Sequence, residues 1–135
     1  MTFATLKIYS KVPDNISNFT QTLKSLLELL DLEEEDEYGT LKPTDYAFKT
    51  TINLLLEAYE HLGEKFPKGT ASTDDEGGIR LNWKNRTQDS RVCLFCPANP
   101  AETAYIYHQK NDEYASDEKV SGTALVYWLD WFEGA

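Results

Sequence analysis

Apolar side chains recur at spacings of three and four through the chain's first half and at every second position through the stretch that follows Gly78. The change of period marks a change from helices to strands. Ile16, Phe19, Leu23, Leu26, Leu27 and Leu30 draw one helical stripe, with Asp14 or Ser17 behind Pro13 suited to cap it. A second helix is predicted where Phe48, Ile52, Leu55, Tyr59 and Leu62 repeat at four, three, four and three. Pro43 fits its first turn, and Gly63 sits where a left-handed stop is expected.

Past Phe66-Pro67, Ile79, Leu81 and Trp83 alternate with Arg80, Asn82 and Lys84. Val92, Leu94 and Cys96 alternate with Arg91, Cys93 and Phe95, and Tyr105 and Tyr107 alternate with Ala104, Ile106 and His108. The short breaks at 84–90 and 97–102 favour antiparallel neighbours. They predict a meander of three strands, with Gly69 to Ser72 as a candidate fourth. Residues 3 to 9 show a further short alternation, and Leu125, Trp128, Leu129 and Phe132 place a closing helix behind Ser121 or Thr123. The expected architecture is one α+β domain over residues 1–135, with two N-terminal helices, three to four antiparallel strands and a C-terminal helix. The helices should pack on one face of the sheet. Arg80, Asn82, Lys84 and Arg91 then belong to the other face.

At 135 residues, 41% hydrophobic and 13% aromatic, the chain has enough apolar side chain for a core. Its 23 acids against 13 bases give a formal charge of −10. A field of that sign disfavours phosphate backbones and anionic lipid, so neither nucleic acid nor membrane is expected as a partner. No basic start leads into an apolar run, and no window approaches the ~18 apolar residues of a spanning helix, so the expected address is cytoplasmic.

Candidate chemistry is sparse. Cys93-Leu94-Phe95-Cys96 is formally a C-x-x-C, yet in a strand residues three apart face opposite ways and their Cα atoms lie roughly 10 Å apart, beyond the ~7 Å limit of a disulfide. Two reduced thiols are expected there, with no metal and no cofactor. Asp74-Asp75-Glu76-Gly77-Gly78 lacks the alternating ligands of a calcium loop and reads as a hairpin turn whose glycines take positive φ. No nucleophile motif and no phosphate loop is present, and the only histidines are His61 and His108, so no catalytic residue is assigned and no enzyme is expected. The aromatic run Tyr127 to Phe132 reads as core rather than as a binding hot spot. What stands out is Asp31, Glu33, Glu34, Glu35, Asp36 and Glu37, six acids in seven residues. The run is either a solvated, fraying helix end or a docking surface for a basic partner.

Tyr38-Gly39, Lys42-Pro43-Thr44, the helix from Tyr46 to Leu56, Phe66-Pro67 and Gly77-Gly78-Ile79-Arg80-Leu81-Asn82-Trp83 together resemble a group of small bacterial proteins. That group shares a Trp-Asp-Gly-x-Gly-like opening, a Pro-started helix and a Gly-Gly-Ile/Val-x-Leu-x-Trp strand followed by a short antiparallel meander. The resemblance spans roughly residues 36 to 110, with Asp36-Glu37-Tyr38-Gly39 standing where the Trp-Asp-Gly opening would be. Such proteins are often encoded near toxin-antitoxin or mobile-element genes. The resemblance therefore implies a partner-binding, antitoxin-like role and supplies no active residues. Two alternatives stand beside this protein-interaction reading: an acidic inhibitor that mimics nucleic acid before a defence or processing enzyme, and a carboxylate-dependent hydrolase.

Overall fold

The computed structural model describes residues 17–37, 39–40 and 42–134. The strand expected over residues 3 to 9, together with Pro13, Asp14 and Ile16, lies outside the described residues.

Helix α1, Asn18–Glu28, starts where the Ser17 hydroxyl accepts the Thr20 amide at 3.1 Å. Its buried line is Phe19, Thr22 and Leu26, continued by Leu29 in the 3-10 turn Leu29–Asp31. Leu27 and Leu30, expected on that line, are instead 44% and 37% exposed. The physical reason is that α1 packs on the sheet's edge and covers it with a narrow face. Thr22 can occupy the middle of that face because its hydroxyl donates to the Asn18 carbonyl and accepts the Gly69 amide, both at 2.8 Å. Ser25 likewise accepts the Ala71 amide at 2.9 Å, so α1 satisfies donors that the sheet edge would otherwise leave open.

Helix α2, Asp45–Leu62, is capped by Thr44, which accepts the Ala47 amide at 3.1 Å. Pro43 precedes the cap instead of entering the first turn. Ala47, Thr51, Leu54, Leu55, Ala58 and Leu62 are buried, a line offset from the expected one. Phe48 and Ile52 pack at its flank, and Tyr59 stacks on Phe19 with ring centroids 4.1 Å apart. The offset arises because α2 packs chiefly against α3 and also against strands β4 and β5. It meets α1 on one side while its small residues, Ala47, Thr51 and Ala58, line the buried side. The helix stops at Gly63, φ +52°, as expected.

After the two-residue pair β1 (Glu35–Asp36) and β2 (Gly39–Thr40), five strands follow: β3 (Thr70–Thr73), β4 (Ile79–Asn85), β5 (Ser90–Cys96), β6 (Tyr105–Lys110) and β7 (Glu113–Asp117). They form an antiparallel meander in chain order. The strand β7 exceeds the three to four expected. It is reached by a two-residue turn in which Asn111 takes φ +56°. Helix α3, Gly122–Gly134, closes the fold behind Ser121, whose hydroxyl accepts the Ala124 amide at 3.1 Å.

The helices share one sheet face. On that face Ile79, Leu81, Trp83, Val92, Leu94, Cys96 and Ile106 are fully buried, joined by Leu125 and Leu129 of α3. Among the described residues no helix is long and apolar enough to cross a membrane.

Candidate binding surfaces

The acidic run does not extend α1. That helix ends at Glu28, the 3-10 turn ends at Asp31, and Glu35–Asp36 pair with Gly39–Thr40 in a hairpin. Asp31 and Glu33 to Glu37 are all exposed. The fraying helix end expected from the sequence is thus replaced by a hairpin that is tied to the body. The Lys42 amide donates to the Glu34 carbonyl at 3.4 Å, and the Thr44 amide to the Gly77 carbonyl at 3.0 Å. Gly39, at φ +144°, presses against the next acidic segment so closely that a Cβ there would lie 2.5 Å from the Asp75 carbonyl oxygen.

That next segment is the β3–β4 turn. The Asp74 carboxylate accepts the Glu76 amide at 2.8 Å and the Gly78 amide at 2.7 Å through one oxygen. Gly77 takes φ +92°, whereas Gly78 does not take positive φ. Gly78 is required for space: a Cβ would meet Asp74 Oδ2 at 2.9 Å and the Cys96 carbonyl oxygen at 3.0 Å. Two acidic motifs about forty residues apart in the chain are therefore linked where Gly39, just past the first, packs on Asp75 of the second. Among the described residues no group of three or more His, Cys, Asp or Glu side chains is disposed to hold a metal ion.

The second surface is the sheet face that the helices leave open. Register stacks its side chains in three rows. Ser72, Arg80, Phe95 and Tyr105 form the first; Thr70, Asn82, Cys93, Tyr107 and Ser116 the second; Lys84, Arg91, Gln109 and Tyr114 the third. No carboxylate occurs in any row. All three arginines of the chain, Arg80, Arg86 and Arg91, lie on β4, β5 or the turn between them.

Arg80 is held in place. Its Nη1 donates to the Tyr105 hydroxyl at 3.0 Å and its guanidinium carbon lies 4.9 Å from the Phe95 ring centroid. The Tyr105 hydrogen bond is the chief cause that raises the Arg80 pKa, against a smaller opposing effect of burial. Between Arg80 and Arg91 sits Cys93, whose thiol is pushed up by burial and pulled back by both guanidinium groups. A shallow depression of about 350 Å³ opens here, with Asn82, Tyr107 and Ser116 at its walls.

Cys93 and Cys96 are free and face opposite sides of the sheet. Cys96 belongs to the core, and burial pushes its thiol up to about 11 while the adjacent Thr51 hydroxyl opposes the shift. Of the aromatic run in α3, Leu129 and Phe132 are buried and Trp128 stacks on His108, while Tyr127 is 63% exposed.

The sequence pattern assigned Arg80, Asn82, Lys84 and Arg91 to one face. It missed Phe95, Cys93, Tyr105 and Tyr107 as their neighbours, since only the strand register brings those side chains together. No family model matches the chain, and neither a curated protein nor a solved structure is significantly similar to it.

Proposed function

We propose that the chain is a protein-interaction domain without catalytic activity, whose acidic end engages a basic surface on a partner protein. The supporting observation is the meeting of the 31–37 run with the Asp74-Asp75-Glu76 turn through Gly39 and Asp75. A pinned array of exposed carboxylates costs little further ordering on binding and steers a basic partner over distances set by a screening length of ~8 Å at physiological salt. The antitoxin-like role implied by the sequence resemblance is compatible with such a surface.

The test uses the partner that co-purifies from the native host. Replacing Glu33, Glu34 and Glu35 by Gln should leave the melting temperature unchanged or slightly higher, since repulsion among neighbouring acids is relieved. Association with the partner should slow, and its salt dependence should flatten. Unchanged association at low salt in the triple variant would remove the acidic end from the interface.

The same array of carboxylates suits imitation of a phosphate backbone. That second reading predicts displacement of the chain from its partner by excess DNA or RNA.

A further inference from the structure

We propose that the open sheet face is a second binding site, independent of the acidic end, and that it takes a carboxylate-bearing segment of an acidic partner peptide at the depression between Arg80 and Arg91. Three observations carry the assignment.

First, the site is built from donors. Two guanidinium groups, the Tyr107 hydroxyl, the Asn82 amide and the Ser116 hydroxyl surround the depression, and the rows contain no acid to neutralise them. Asp74 acts on Arg80 electrostatically and Asp89 lines the neighbouring depression with Arg91, while among the described residues no acid lines the depression between the two arginines. In a chain of net charge −10 this depression is lined by two guanidinium groups and no carboxylate, so a ligand carboxylate finds charge-assisted donors there.

Second, the geometry suits one carboxylate. Arg91 and Cys93 are two apart on one strand, and Arg80 is a diagonal neighbour of Cys93 on the next. Such spacings are roughly 7 Å on a sheet, so two long side chains can converge above the Cys93 position. Arg80 is already oriented by Tyr105 and Phe95, and a preorganised fork loses less entropy on binding.

Third, the field limits the size of the ligand. The basic face spans five strands, roughly 20 Å at the usual inter-strand spacing, and is bordered by a strongly acidic molecule. A long polyanion would run off the face into repulsion, whereas a short acidic segment of a protein fits within it. Charge complementarity therefore selects a peptide over a nucleic acid strand. A second copy of this chain is disfavoured, because its net charge repels.

The experiment titrates the full chain into fluorescein-labelled hexaglutamate at low salt, with fluorescein-labelled oligouridylate as a parallel probe, and follows anisotropy and backbone amide shifts. Hexaglutamate should bind saturably and shift amides of β4, β5 and β6 rather than those of residues 33–37. Arg91→Gln should weaken binding about tenfold or more, the loss of one charge-assisted pair. Arg91→Lys, which keeps the charge and loses the fork, should fall between. Replacing Glu33, Glu34 and Glu35 by Gln should leave binding equal or tighter, which separates this site from the acidic end. The amide shifts of the unaltered chain locate the site without depending on any variant. Absence of saturable binding, shifts confined elsewhere, or undiminished affinity in Arg91→Gln would overturn the site. Tighter binding of oligouridylate would overturn the peptide assignment.

Discussion

Gly69 lies so close to the Trp83 indole that a Cβ there would come within 2.7 Å of both Cε2 and Nε1. Trp83 is fully buried, its Nε1 donates to the Pro67 carbonyl at 3.0 Å, and Phe66 meets it edge-on. The Gly69 amide meanwhile donates to Thr22, so the chain at Gly69 is held from both sides and cannot retreat from an added methyl group.

Gly69→Ala should therefore destabilise the fold by roughly 1 to 3 kcal/mol, as overpacking does. Trp83→Ala should cost roughly 3 to 5 kcal/mol through the cavity it leaves. Urea unfolding followed by far-ultraviolet circular dichroism measures both. A Trp83→Ala protein that melts within a degree or two of the parent would mean that this side chain does not hold the core.

Trp83 also shows what the sequence made legible. Its alternation with Arg80, Asn82 and Lys84 reports a half-buried strand, and the structure sets one set against the helices and the other on the open face. Strand β7 escaped notice for the complementary reason. Glu113, Tyr114, Ala115 and Ser116 are all exposed, so an edge strand with no buried side chain leaves no period to detect. The helices were found from their stripes, but Leu27 and Tyr59 show that a stripe does not fix the contact face when a helix has several neighbours. The arginine site was half legible. Arg80 and Arg91 could be assigned a face, while Tyr105 and Cys93 joined them only through pairing across β4, β5 and β6. Likewise, nothing local in Asp31 to Glu37 announces that Gly39 will press on Asp75.

His108 lies flat on Trp128, ring centroids 3.6 Å apart, with Trp131 edge-on at 5.9 Å. Burial lowers its pKa below the ordinary 6.5, and Asp117 only partly opposes this. The unfolded chain thus takes up the proton first as pH falls. Stability from the neutral ring is fully present above about pH 6.5 and is lost as pH drops through the lower folded value. Melting temperature should begin to decline as pH falls below about 6.5, before most carboxylates titrate, and His108→Phe should flatten that segment. An equally steep decline in the variant would assign the effect to other groups.

The two thiols should differ in reactivity. Cys96 is fully buried with its pKa pushed up to about 11, whereas Cys93 retains 8% exposure and feels two arginines. Alkylation of the native protein by N-ethylmaleimide, mapped by peptide mass, should label Cys93 first and Cys96 only on unfolding. Arg91→Gln should slow labelling of Cys93 further, because one charge that favours its thiolate is removed. Equal rates at both thiols would contradict the placement of Cys96 in the core.

The Asp74 turn separates the structural use of an acid from its use as surface charge. Asp74 Oδ1 accepts two backbone amides, and the Asp74 amide returns a bond to the Gly78 carbonyl at 3.1 Å, closing the β3–β4 hairpin. Asp74→Ala removes both accepted bonds and should cost about 2 kcal/mol, within the range for hydrogen bonds to a charged group. Asp74→Asn keeps a carbonyl acceptor in the same place and should cost about half as much or less. Asparagine nevertheless deletes the charge, so it should weaken binding of a basic partner at the acidic end while lowering stability in urea by clearly less than Asp74→Ala does. If Asp74→Ala and Asp74→Asn lose equal stability, the turn depends on the charge and not on the acceptor. If Asp74→Asn binds the co-purified partner as tightly as the parent, this turn is no part of the docking surface, which then contracts to the hairpin at Glu35 and Asp36.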